Sequence, residues 1–385
     1  MRIVTNNIFI ILFSFACLSN TGYTQAPLSN KAAVSVLTCD PGNELYSTFG
    51  HTGLRIFDPA QNLDVIFNYG MFSFKTPGFY TKFLRGKLDY HLGMQNYGNF
   101  LREYDYYSRS VYEQKLDLDS LERQKVFDFL LNNIKKENRT YKYDFFFDNC
   151  STRPRDVFSN SLGVVFSEEE SDKTFRNLLD EFLPGLPWSD FGIDLVIGSR
   201  ADKKASDMHQ TFLPAYLMKS LENIKIGGKD FVKSTNTILD FSEEQKARFK
   251  RPWFTPMLVF VLFLLLEFFL YFFVDHNNKA LILYDKLWFL VLGLSSLLLF
   301  VMWFFTDHIA TKANWNLLWI HPLYLYLAFR KPKNAAKWVL ILSAVLTGAA
   351  LAGWSFIPQQ FHLAFIPIIL LLILKLNRWW KNEKV

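Results

Sequence analysis

Five apolar runs fill the last third of this chain, at Phe254 to Val274, Leu287 to Phe305, Leu317 to Phe329, Lys337 to Phe356 and Phe361 to Leu376. Most approach the roughly 20 residues a helix needs to cross the hydrocarbon core of a bilayer. Such a segment has few folds open to it. Here it predicts a transmembrane bundle of about five spans, whose backbone polar groups pair within each helix. The third run is short, so it should extend through Ala313 to Trp315, tilt less than its neighbours or thin the bilayer locally. Charged residues are spread through 27 to 251 and become sparse from 254 onward, which sets a boundary near Arg251-Pro252. The expected division is therefore 1–26, 27–251 and 252–385.

Residues 1–26 read as a secretory signal: Arg2 opens them, an apolar core runs from Ile8 to Leu18, and small or polar residues follow. Cys17 is expected to leave with that leader. Export of residue 27 onward predicts cytoplasmic loops at 275–286 and 330–337 and a cytoplasmic tail. These hold Lys279, Lys286, Arg330, Lys331, Lys333, Lys337, Lys375, Arg378, Lys381 and Lys384, against Lys312 alone in the opposite loops, 306–316 and 357–361. Both signals give a multi-pass protein of the inner membrane with its soluble half in the periplasm. The net charge of +6 is carried by loops and membrane flanks, without the aromatic-threaded basic groove that nucleic acid requires. Seven scattered histidines lack ligand spacing, so no metal or other cofactor is expected.

The soluble half mixes patterns. Ala33 to Leu37 reads as a buried strand, and His51 to Phe57 with Asp64 to Tyr69 as a hairpin around Asp58-Pro59-Ala60-Gln61-Asn62. Leu121, Val126, Phe127, Leu130, Leu131 and Ile134 recur at helical spacing after a cap at Asp119 or Ser120. Tyr141 to Phe147 reads as an aromatic strand, Ser206 to Leu221 as helical, with a short strand after Gly227-Gly228. The order is α+β.

The chemistry concentrates at Asp148-Asn149-Cys150-Ser151-Thr152-Arg153 and at Phe49-Gly50-His51-Thr52-Gly53. A thiol and an imidazole are nucleophile and base in acyl transfer. Pro154 fits only the first turn of a helix, so Ser151 should cap it, leaving Cys150 just outside with its own amide as an oxyanion donor. A helix N-terminus and a nearby cation would pull a thiol from about 8.5 to between roughly 3.5 and 7.5. With the hairpin register centred on its connector, Asn68 falls opposite Gly53 and diagonal to His51, where it can orient the ring. Asp64 shares its parity and is the reserve. Arg153, mid-span Glu267 and His308 of the outer loop, which also holds Asn314 and Asn316, are the candidates for substrate contact. A Cys39–Cys150 disulfide in a non-catalytic scaffold is the competing use of the cysteine.

Asn43 to Thr52, Phe67-Asn68-Tyr69-Gly70-Met71-Phe72, Tyr141-Lys142-Tyr143-Asp144 and Asp148 to Arg153 resemble the periplasmic domain of the Bacteroidota-type lipoprotein N-acyltransferases. Pro187-Trp188, Gly192-Ile193-Asp194 and Phe212-Leu213-Pro214 add to the resemblance, as does the multi-span half. It implies a circularly permuted papain-like (NlpC/P60-like) soluble domain, His51 as base and Cys150 as nucleophile. It also implies transfer of an acyl chain from a glycerophospholipid, through a thioester, to the α-amine of diacylglyceryl-cysteine on an apolipoprotein. Pro154 departs from the apolar residue expected there. The order His before Cys also suits a membrane-anchored cysteine peptidase or amidase acting on cell-wall peptides.

Overall fold

The computed structural model describes residues 26–383. The expected leader, with Cys17, lies outside the described residues except for Ala26. One sheet organises the N-terminal half. Its strands are β1 (Ala33–Cys39), β2 (His51–Asp58), β3 (Leu63–Met71), β4 (Asp89–Asn96), β5 (Val111–Leu116), β6 (Thr140–Lys142) and β7 (Val232–Leu239), in the order β7-β5-β1-β2-β3-β4-β6. Every neighbouring pair is antiparallel.

Alternation along the strands gives the sheet two apolar faces. Val36, Leu54, Ile56 and Phe67 point to one, where α2 (Ser120–Asn133), α3 (Thr152–Leu162) and α5 (Pro214–Glu222) contribute Phe127, Phe158 and Leu217. Leu37, Cys39 and Ile66 point to the other and pack on Phe100 and Tyr104 of α1 (Tyr97–Tyr106). The α+β expectation holds, and α2 starts at a capping box between Asp119 and Glu122. Leu121 alone of its periodic set is exposed. The aromatic stretch is a strand only to Lys142; beyond it Asp144 and Asp148 bond each other's backbone and turn the chain. Pro214 divides the expected helix over 206–221 in two.

The C-terminal half packs helices α6 (Pro256–Phe273), α7 (Lys279–Phe304), α8 (Leu323–Ala328), α9 (Lys337–Ala352) and α10 (Phe365–Glu383). α6 and α7 are long and apolar enough to cross a bilayer. Leu262, Phe269 and Phe273 of α6 and Leu287, Val291 and Leu294 of α7 are exposed, as on helices that lipid solvates. The third apolar run corrects the expectation. It forms a 3₁₀ turn, Trp315–Leu318, and the six-residue α8, interrupted at His321-Pro322. Six residues of helix reach only about 9 Å. The broken backbone is tolerated because Trp319, Ile320, Tyr324 and Leu327 are buried among the other helices. Lys375 and Arg378, counted above with the cytoplasmic tail, are buried against the other helices.

The two halves are joined by hydrogen bonds to backbone. α4 (Pro187–Val196) ends where Asn316 Nδ2 donates to the Asp194 carbonyl at 3.0 Å and Asn314 Nδ2 to those of Leu195 and Val196, each at 2.9 Å. Gln359 Nε2 donates to Ile197 O at 3.3 Å, and the Gly198 amide donates to Ala310 O. Backbone of Lys312 and Ala313 lies where a Cβ on Gly198 would stand, so only glycine admits this approach. The contacts on the bundle side come from 306–316 and 357–361, the loops that the charge pattern assigned to the outer face.

Candidate active site

His51 opens β2, next to Cys39 on β1, and Cys39 in turn pairs with Val111 on β5. The β2–β3 ladder runs from Asp58–Leu63 to Leu54–Phe67, a register whose next position sets Gly53 across from Asn68. A Cβ on Gly53 would stand 3.1 Å from Asn68 Oδ1, so the missing side chain leaves room for the diagonal contact. His51 Nε2 and Asn68 Oδ1 are 3.2 Å apart, with Asn68 buried. Because a carboxamide oxygen only accepts, this bond puts the proton on Nε2 and leaves Nδ1 as the basic nitrogen. Asp64, the reserve, is held by Arg55 Nε and Nη2, each at 2.8 Å.

Cys150 precedes α3 at its N-terminus, as Pro154 requires, and Ser151 is the capping residue by position. The capping bonds come from Asn149 instead: its Oδ1 accepts the amides of Ser151 at 2.8 Å and Thr152 at 2.9 Å. Asn149 Nδ2 ties this turn to Phe145 O and Phe212 O, while Ser151 Oγ donates to Thr211 O. The turn that presents the sulfur is therefore locked by side-chain to backbone bonds. The backbone amides of Thr52 and of Cys150 itself favour the thiolate form of this sulfur. On the other side is Gly70, at φ +88°, where a Cβ would stand 3.3 Å from Cys150 Cβ. The sulfur is thus bracketed by the residue after His51 and by the glycine two residues after Asn68.

Electrostatics at this site differ from the expectation. Burial raises the Cys150 thiol to about 11, against the smaller opposing effects of the Thr52 amide, its own amide and the Arg109 charge. Burial also lowers His51 to about 4, outweighing the Asn68 bond, with the Arg109 charge acting in the same direction. The resting pair is a neutral thiol and a neutral imidazole, because desolvation here exceeds what a helix end and a distant cation supply. Cys39 and Cys150 are both free thiols, so the bridged scaffold loses its crosslink.

The three candidates for substrate contact have protein partners. Arg153 pairs with Asp148, donating from Nε and from Nη2 at 2.6 Å, and stacks over Tyr141 with its guanidinium 4.0 Å from the ring centroid. His308 Nε2 bonds the Phe83 carbonyl at 2.8 Å and helps dock the helix Phe79–Leu84 at the end of α7. Glu267 is buried in the bundle with Lys375 at 2.6 Å and Arg378 at 2.6 Å, and both cations also reach Asp285. None of the three is joined to Cys150 or His51 by a described hydrogen bond.

Two features escape a reading of motifs. Arg109 is 8% exposed, donates from Nε to Asp40 O at 2.7 Å and lies over Tyr104; no pattern in Tyr107-Ser108-Arg109 marks it. Asp180, Asp190 and Asp194 bring carboxylate oxygens within 4.8 Å of one another beneath the docking segment. Arg176, wholly buried, pairs with Asp194 at 2.5 Å and Asp202 at 2.7 Å, and His362 stands 3.5 Å from Asp190. Burial, then Asp194 and Asp190, raise Asp180 to about 7. Asp190 and Asp194 stand one turn apart on α4, and Asp180, at the end of the helix Phe175–Asp180, joins them only in the fold.

Residues 21–180 match the family model described as the Lnb N-terminal periplasmic domain, and residues 246–382 the one described as the Lnb transmembrane domain. No curated protein and no solved structure matches. The chain is accordingly membrane-anchored with a periplasmic domain, and its family points to lipoprotein substrates and N-acylation. With both domains present in this order over most of its length, the chain belongs to the Lnb family and has the architecture of the Bacteroidota-type lipoprotein N-acyltransferases.

Proposed function

We propose that the protein moves an acyl chain from a glycerophospholipid to the α-amine of diacylglyceryl-cysteine on apolipoproteins, through a thioester on Cys150. His51 Nδ1 takes the thiol proton as Sγ attacks the ester carbonyl carbon. Collapse of the tetrahedral adduct breaks the ester C–O bond, and the lysophospholipid oxygen leaves with the proton from His51. The acceptor amine then attacks the thioester carbonyl, gives its proton to His51 and forms the amide, while the C–S bond breaks and Sγ is reprotonated. Asn68 holds the ring with Nε2 protonated, and the Cys150 amide suits the oxyanion.

The observation that carries this reading is the His51–Asn68 bond beside the strand residues that bracket Cys150. A raised thiol pKa supports proton removal during attack rather than a resting ion pair. The histidine-first order and the Cys150 helix packed on an antiparallel sheet support a permuted papain-like domain over 27–251. For 252–385, the outer loops that meet the soluble half support five crossings of the inner membrane, the third made by the broken 315–328 segment. The leader at 1–26 belongs to the same proposal. A cell-wall peptidase would use the same pair, but the family's lipoprotein chemistry and the bundle favour acyl transfer. Mass spectrometry of lipoprotein N-termini from cells whose sole such enzyme carries Cys150→Ala is expected to show two acyl chains. A third chain on those N-termini rejects the assignment, and release of cell-wall peptides by the purified full chain supports the peptidase.

A further inference from the structure

Two arginines hold buried nitrogens that no described group satisfies: Nη2 of Arg109, and Nε and Nη1 of Arg248. An unpaired buried donor has lost its water without gaining a partner, so each is a place where a ligand acceptor gains more than at a hydrated surface. Arg248 lines a cleft of about 480 Å³ with Asn43, Tyr106, Tyr107, Ser108 and Glu244. Ser108 leads directly into Arg109, whose Nε is fixed on Asp40 O. Burial, and next the charge of Arg109, lower the proton affinity of Arg248, so the two cations feel each other. Asp40 opposes them, but its carboxylate is itself engaged by Tyr112 at 3.3 Å. Glu244 is exposed, where water and salt screen it.

Position narrows what this pair meets. Arg248 ends the helix Ser242–Arg248, just before α6 enters the bilayer at Pro256. Between them Trp253 and Phe254 are exposed, as aromatic side chains are at the headgroup level. Arg109 stands two residues before Val111, which pairs with Cys39, which pairs with His51. The cleft thus opens at headgroup depth and at the end of the sheet that carries the catalytic candidates.

We propose that Arg109 and Arg248 together hold the phosphodiester of a membrane phospholipid, so that its acyl ester is presented to Cys150. The planar guanidinium forks match phosphate oxygens, and the desolvated N–H groups gain the partners they lack. The proposal rests on the acyl-donor reading above, and its test does not depend on turnover. Full-length Cys150→Ala protein is purified in detergent and its lipid retention compared by native mass spectrometry for phosphatidylglycerol and for diacylglycerol with the same chains. Phosphatidylglycerol is expected to be retained in preference, and Arg248→Gln to reduce that preference roughly tenfold. Arg248→Lys, which keeps charge without the fork, should restore part of it.

Arg248→Gln breaks no described side-chain hydrogen bond, so it should fold even where Arg109→Gln, which loses the Asp40 contact, unfolds. Thermal unfolding checks both. Equal retention of the two lipids, or an unchanged preference in Arg248→Gln, overturns the proposal. Displacement of the lipid by inorganic phosphate at equal concentration also overturns it, reassigning the site to a soluble anion. Retention with the expected preference in a protein whose Cys150 form transfers no acyl chain supports this site and sinks the acyl-transfer reading.

Discussion

The neutral imidazole of His51 and the neutral thiol of Cys150 set how the site should respond to pH. His51 titrates near 4 in the fold against 6.5 unperturbed, so the unfolded chain binds the extra proton first. Stability contributed by His51 is therefore complete above about 6.5 and is lost as pH falls toward about 4. For kcat/KM the acid limb is expected near 4, and a limb near 6.5 would contradict the buried, neutral ring. Asn68→Ala removes the bond that raises His51, so it should move that limb lower still, with kcat down roughly 10- to 100-fold. Iodoacetamide should alkylate Cys150 faster with every rise in pH up to about 11; a plateau reached in acid would reveal a preformed thiolate.

Gly70, near the end of strand β3, lies against Cys150 just ahead of helix α3. At φ +88° and against Cys150 Cβ, Gly70→Ala is strained by conformation and by contact. The left-handed backbone alone costs about 1–2 kcal/mol, so a lower unfolding temperature and loss of transfer are expected together. Wild-type stability with full transfer would show that this approach is not needed. In the bundle, Glu267 and Asp285 of α6 and α7 face Lys375 and Arg378 of α10, all buried. Removing one cation strands a carboxylate, so Lys375→Met should destabilise by roughly 3–5 kcal/mol and adding Glu267→Gln should recover much of it. Equal melting temperatures for both variants would argue against a closed ion cluster.

The whole molecule depends on the soluble half being seated at a fixed height on the bundle. Asn314, Asn316 and Gln359 satisfy the carbonyls at the end of α4, and His308 satisfies that of Phe83. The double variant Asn314→Ala, Asn316→Ala should leave Cys150 alkylation by a small reagent unchanged while transfer from bilayer lipid falls roughly tenfold, because positioning is lost and the thiol is not. If alkylation and transfer fall in parallel, these asparagines serve the fold of the site itself.

Alternation and spacing were enough to read β1, the β2–β3 hairpin with its Gly53–Asn68 register, the capped α2, and Cys150 just ahead of a helix, since each is set by neighbours in the chain. Hydropathy likewise marked α6 and α7. Three things were decided only by tertiary structure. Thr52 and Gly70 come to the sulfur because β2 and β3 end there, and neither has a side chain that advertises it. Glu267, Arg153 and His308 found protein partners far along the chain, which no local pattern reveals. The thiol of Cys150 is raised where motif reasoning lowers it, because desolvation depends on everything packed around a group and a sequence records only what is bonded to it.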